Sequence, residues 1–238
     1  MKRKPFRVAA FRSLAAVAVL SAGWQAQAQD TKSPYPVMAS VDQYLMDRTA
    51  EIALARSAAP DSISRDAEVM VLTRHGFEIA EKGKNQFVCM VDRSWSAGTD
   101  DPGFWNPRIR GPICFNPAGA RYNIPITIKR TEAVLATQSK TEMAKAVDAA
   151  FEKKEIPALE PGAMCFMMSK QQYLSDEGGH HWHPHLMFFV QGTEATAWGV
   201  GFEGSPVLGF ESPVDRYTLF LVPIAKWSDG TMAHTDGN

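Results

Sequence analysis

The sequence predicts an α+β fold, an antiparallel sheet with helices packed on one face, and three observations lead to it. Short apolar stretches with strand character fall in the first and last thirds of the chain. Two stretches with helical spacing sit back to back between them. Glycine and proline punctuate the strand-like stretches throughout. Consecutive helices break any strand–helix alternation, which argues against an all-parallel sheet.

In chain order, Ser40 with Gln43 has the form of a capping box, and Val41, Tyr44, Leu45, Ile52 and Ala55 recur at helical spacing up to Pro60. A helix is expected from Val41 to about Ser57. Val69 to Leu72, Phe77 with Ile79, and Phe87 to Val91 read as three strands of a meander, with Gly76 and Gly83-Lys84-Asn85 as turns. The third is apolar at every position and is expected to be the most buried. Ala97 to Pro117 reads as a long loop dense in glycine and proline. A helical region follows, kinked near Pro125 and continuing to Gln138. A second helix opens at the capping box Ser139 with Glu142 and carries Met143, Val147, Ala150 and Phe151 on one stripe. Met164 to Met168, Leu186 to Val190, Ala195 to Val200, Val207 to Phe210 and Tyr217 to Ile224 complete the strands.

The N-terminus reads as a secretory signal peptide. Five basic residues, Lys2, Arg3, Lys4, Arg7 and Arg12, precede an apolar run from Leu14 to about Ala22, and Ala26-Gln27-Ala28 has the small-residue form that a signal peptidase accepts. The run is about half the ~20 residues that a membrane-spanning helix needs. Cleavage is expected after Ala28. Residues 29–39 then form a flexible lead-in, and residues 40–238 form a single globular domain in the periplasm or secreted, with no membrane insertion.

Losing the signal leaves 20 basic against 26 acidic side chains, a net charge near −6. Without a basic run, nucleic acid and anionic membrane surfaces are poor partners, because both are held by phosphate-neutralising cations. Cys89, Cys114 and Cys165 would meet an oxidising compartment, where three thiols allow at most one internal disulfide. Spacing alone does not choose among the three pairings.

The densest chemical feature is Gly178-Gly179-His180-His181-Trp182-His183-Pro184-His185, which holds four of the chain's six histidines ahead of an apolar strand. In extended chain, alternation sets His183 and His185 on one face, and His181 as well if the extension begins that early. Imidazoles so placed suit zinc, copper or iron, whereas magnesium and calcium favour oxygen. These three are the candidate metal ligands. Leu186 to Gln191 offers no acid to complete the set, and neither H-E-x-x-H nor a paired C-x-x-C occurs. A second constellation, Arg93, Trp95, Trp105, Arg108 and Arg110, joins forked cations to aromatic faces and suits an unidentified small-molecule or protein ligand. Two functions are therefore expected: a transition-metal site, with or without catalysis, or a non-catalytic binding domain using the Trp/Arg loop.

Overall fold

Runs of residues that are apolar at every position need cover on both sides, and the fold supplies it. The computed structural model describes residues 33–176 and 183–233. The signal segment expected over residues 1–28 lies outside them. The strands are β1 (Glu68–Thr73), β2 (Gly76–Glu81), β3 (Val88–Asp92), β4 (Gly111–Phe115), β5 (Met164–Met167), β6 (His185–Val190), β7 (Leu208–Ser212) and β8 (Tyr217–Pro223). The helices are α1 (Arg48–Arg56), α2 (Asp61–Ser64), α3 (Pro117–Thr137) and α4 (Lys140–Glu152). The strands form one sheet in the order β2-β1-β3-β4-β5-β6-β8-β7, in which only β1 and β3 run parallel. The class is α+β, in a single domain. No helix among the described residues is long and apolar enough to cross a membrane.

Two particulars differ from the sequence expectation. The long α3 covers one face, over Met70, Met90, Ile113, Phe115 and Cys165, and α4 packs against α3. The shorter α1, however, packs on the other face with Leu54 and Ala55 over Val69, Cys89, Val91 and Cys114. Helices therefore lie on both faces, because β3 and β4 carry apolar side chains on both. The first three strands also form no meander: β3 lies beside β1, not β2. The polar strand β2, with Glu78 and Glu81 exposed, takes the sheet edge and leaves the apolar strand the interior.

That exchange requires the link from β2 to β3 to pass under the start of β1, and Gly83 makes the crossing. A Cβ there would stand 2.2 Å from the Glu68 nitrogen and 2.8 Å from the Ala67 carbonyl carbon. Around it, Lys84 N donates to Asp66 O at 2.7 Å and Glu68 N to Phe87 O at 2.8 Å.

Local signals were overridden in three other places. The helix expected from Val41 is only a 3-10 turn over Val41–Gln43, and α1 starts at Arg48 with Asp47 accepting from Ala50 N at 2.9 Å. Tyr44 explains the break: it leaves the helical path, is fully buried, and donates its hydroxyl to Trp105 O at 2.8 Å. The long loop from Ala97 contains β4, which is buried at all five positions. Ala195 to Val200 begins as a 3-10 turn, Ala195–Trp198, instead of a strand. The second capping box is present, with Ser139 Oγ accepting from Glu142 N at 3.3 Å, and α3 continues through Pro125.

Two buried ion pairs join these layers. Arg93 meets Glu51 of α1 at 2.8 Å with neither side chain exposed, and Glu51 Oε1 also accepts from Leu72 N at 3.1 Å. On the other face, Arg130 of α3 grips Asp215 with two bonds, at 2.9 and 2.8 Å, and donates to Trp95 O and Ala97 O. Near this second pair, Asp92 Oδ1 and Ser94 Oγ are shut from solvent without a hydrogen-bond partner among the described residues. Burial pushes the Asp92 carboxyl up to about 6, opposed by a hydrogen bond from the Ser96 side chain and by the Arg93 and Arg130 charges.

Cys89 and Cys114 face each other across β3 and β4 and form a disulfide, while Cys165 is a buried free thiol. Thiol titration of the denatured, unreduced chain is accordingly expected to give one thiol, rising to three after reduction. Changing both bridging cysteines to alanine is expected to cost about 3 kcal/mol in urea unfolding, given the 25-residue separation. Gly83→Ala should destabilise by more than about 2 kcal/mol, since the obstructing atoms are backbone. Asp92 holds its proton more tightly in the folded chain than in the unfolded one, so its contribution to stability falls as pH rises from ~4 through the folded value of about 6. Asp92→Asn is expected to abolish that fall and to raise stability at pH 8 by roughly 3 kcal/mol, measured by denaturant melts across pH.

Candidate metal site

The N-terminal end of β6 is set by its neighbours. His185 pairs with Met167 of β5 on one side and Pro223 of β8 on the other, and Ile224 N donates to Pro184 O at 2.9 Å. Flanking strands on both sides fix the backbone here, so the ring of His185 has a defined position. It is buried, whereas His183 is exposed. His181 lies outside the described residues.

The protonation state of His185 follows from its contacts. Its Nδ1 sits 2.9 Å from the carbonyl oxygen of His183. A carbonyl only accepts, so Nδ1 carries the proton and donates it. Burial pushes the imidazole below its ordinary value, partly opposed by that bond, and favours the neutral ring. A neutral ring protonated at Nδ1 has its lone pair on Nε2. This is how a metal-ligating histidine is commonly held, with the other nitrogen bonded to a backbone carbonyl.

Gln172 meets the same carbonyl. Its Nε2 donates to His183 O at 3.4 Å, while its Oε1 is buried with no partner among the described residues. Turning the amide over would set oxygen against oxygen, so the orientation is fixed chemically. Sequence reasoning passed over Gln172, because a single glutamine between Gln171 and Tyr173 carries no periodic or motif signal. Its place comes from the bridge between Arg110 and Tyr173, whose backbones exchange hydrogen bonds at 2.8 and 2.9 Å.

A carboxylate anchors the chain just ahead of the histidine segment. Asp176 accepts from the Tyr173 hydroxyl at 2.5 Å, from Asn106 Nδ2 at 2.9 Å and from the Tyr35 hydroxyl, and pairs with Arg108 at 2.5 Å. Desolvation would raise its pKa, but these donors outweigh it and hold the carboxyl well below the usual range. A carboxylate with four donors is an anchor, tying the N-terminal segment, the long loop and the approach to the histidines together.

Of the Trp/Arg constellation, only part reaches the surface. Arg93 and Trp95 are fully enclosed, and Trp105 is buried. Trp95 donates its indole N–H to Thr131 Oγ1 at 3.0 Å, and the Trp105 ring meets Phe104 edge-on. Arg110 spends its guanidinium on the carbonyls of Pro107, Ile109 and Gln43. Arg108 is the exposed member, standing over the Tyr173 ring at 5.3 Å. The five residues therefore hold the long loop onto the core and do not form one exposed face.

Among the described residues, no group of three or more histidine, cysteine or acidic side chains is arranged to hold a metal ion. His183 and His185 are the described members of the predicted triad. Comparison with models of protein families, with curated proteins and with solved structures finds no match to this chain.

Proposed function

We propose that this chain is an exported metal-binding protein, and that the segment leading into β6 takes one zinc, copper or iron ion through His185, His183 and His181. The observation that carries the reading is the His185 ring. It is buried between two strands, neutral, and bonded through Nδ1 to a carbonyl, so that Nε2 has its lone pair available to a metal. The unpartnered Gln172 Oε1 supports it as an oxygen acceptor near the same carbonyl, suited to a ligand or to a metal-bound water. Export to the periplasm or beyond belongs to the same proposal. It is supported by the basic, apolar and small-residue order of residues 1–28 and by the Cys89–Cys114 bond, which suits an oxidising compartment.

The competing reading, a ligand-binding domain working through the Trp/Arg loop, has less support. Three of its five residues are buried, and a fourth is spent on backbone carbonyls.

Elemental analysis of the exported chain, purified from the periplasm without chelator or affinity tag, tests the metal reading. About one equivalent of zinc, copper or iron is expected. His185→Ala should abolish stoichiometric binding, and His183→Ala should weaken it by at least tenfold in a chelator competition. Metal far below one equivalent in the unmodified protein, or metal retained by His185→Ala, overturns the assignment.

A further inference from the structure

The sheet has two edges, and they are built in opposite ways. The β2 edge carries exposed Glu78 and Glu81, each ion-paired to an arginine of α1, Arg48 or Arg56. The β1–β2 register also slips at Val69/Met70. Charges and irregular pairing are standard protection against the addition of another strand.

The β7 edge lacks these devices. On one face Leu208 and Phe210 are 49% and 53% exposed. On the other, Trp198 is 55% exposed and stacks on Phe220 at 4.7 Å. The strand's one charge, Glu211, accepts a hydrogen bond from Ala195 N of its own chain at 3.0 Å. Pro206 and Pro213 bracket the strand, and lacking amide protons they confine any further pairing to the segment between them.

We propose that β7 pairs with β7 of a second copy of this chain, antiparallel about a two-fold axis through Phe210, to make a continuous sixteen-stranded sheet from two eight-stranded ones. The sequence of β7 suits its own reverse. Phe210 meets Phe210, Leu208 meets Ser212, and Glu211 meets Gly209, so no like charges stand opposite one another. Leu208 and Phe210 of the two copies form one apolar row on a single face. Half-exposed Trp198, Leu208 and Phe210 at roughly 100 Å² each, with the strand backbone, give about 400 Å² per copy, or about 800 Å² in all. That is the size of a weak, transient contact, so the dimer is expected to be reversible, with a dissociation constant of about 10–100 µM.

Sedimentation equilibrium of the full exported chain between about 1 and 200 µM tests the pairing. A monomer–dimer equilibrium is expected, with Phe210→Lys and, separately, Leu208→Glu each weakening it by about 100-fold while the circular dichroism stays that of the parent. Ile79→Lys on the β2 edge should leave the dimer intact. Hydrogen exchange adds a second readout, with protection of the β7 amides expected to rise with concentration in the parent protein and not in Phe210→Lys. A parent that remains monomeric up to the highest concentration overturns the proposal. So does a dimer that survives folded Phe210→Lys, or one that Ile79→Lys dissociates.

Discussion

The fold depends on the need of β3 and β4 to be covered on both faces. Val91 and Cys89 point to α1, Met90 to α3, and β4 is buried throughout. No edge position satisfies such strands, so they take the middle, and the more polar β2 is displaced outward. Most of the remaining architecture follows from that displacement: the parallel β1–β3 pair, the crossing at Gly83, and a helix on each side. Large apolar burial is also what makes the interior polar groups costly, and the chain meets that cost by pairing Arg93 with Glu51 and Arg130 with Asp215.

Those two arginines play parallel parts on opposite faces. Arg93 ties the end of β3 to α1 and to the Tyr44 carbonyl. Arg130 ties α3 to Asp215 in the β7–β8 turn and to the 3-10 turn carrying Trp95. Each replaces several backbone–backbone bonds that irregular segments cannot make. Asp92 remains between the two guanidiniums with its carboxyl pushed up by burial, a group held for its place in this network at some cost in stability.

Where an element's own residues settle its conformation, the sequence was legible. Ser139 caps α4 as its spacing implied, and the apolar runs at Val69, Met164, Leu186 and Tyr217 are strands. Where a distant partner decides, it was not. Tyr44 abandons a good helical pattern because the Trp105 carbonyl and the Trp95 ring lie waiting for it. The strand β4 hides behind Gly111 and Pro112, which read as loop until β3 and β5 are present on either side. The histidines were legible as residues but not as states: the tautomer of His185 depends on a carbonyl two residues back, and Gln172 reaches that carbonyl only through the Arg110–Tyr173 bridge. The arginines and tryptophans misled for a related reason, since a guanidinium over an aromatic ring looks alike in sequence whether it faces solvent or a core.

The Cys89–Cys114 bond lies beneath α1, and neither sulfur-bearing residue has any exposed surface. Thiol–disulfide exchange requires a line of attack on sulfur, and the closed structure offers none. Oxidation must therefore precede the docking of α1 on this face, even though α1 is synthesised ahead of both cysteines. The first helix of the domain is thus among the last pieces to settle, and its arrival seals the covalent link away from later reduction.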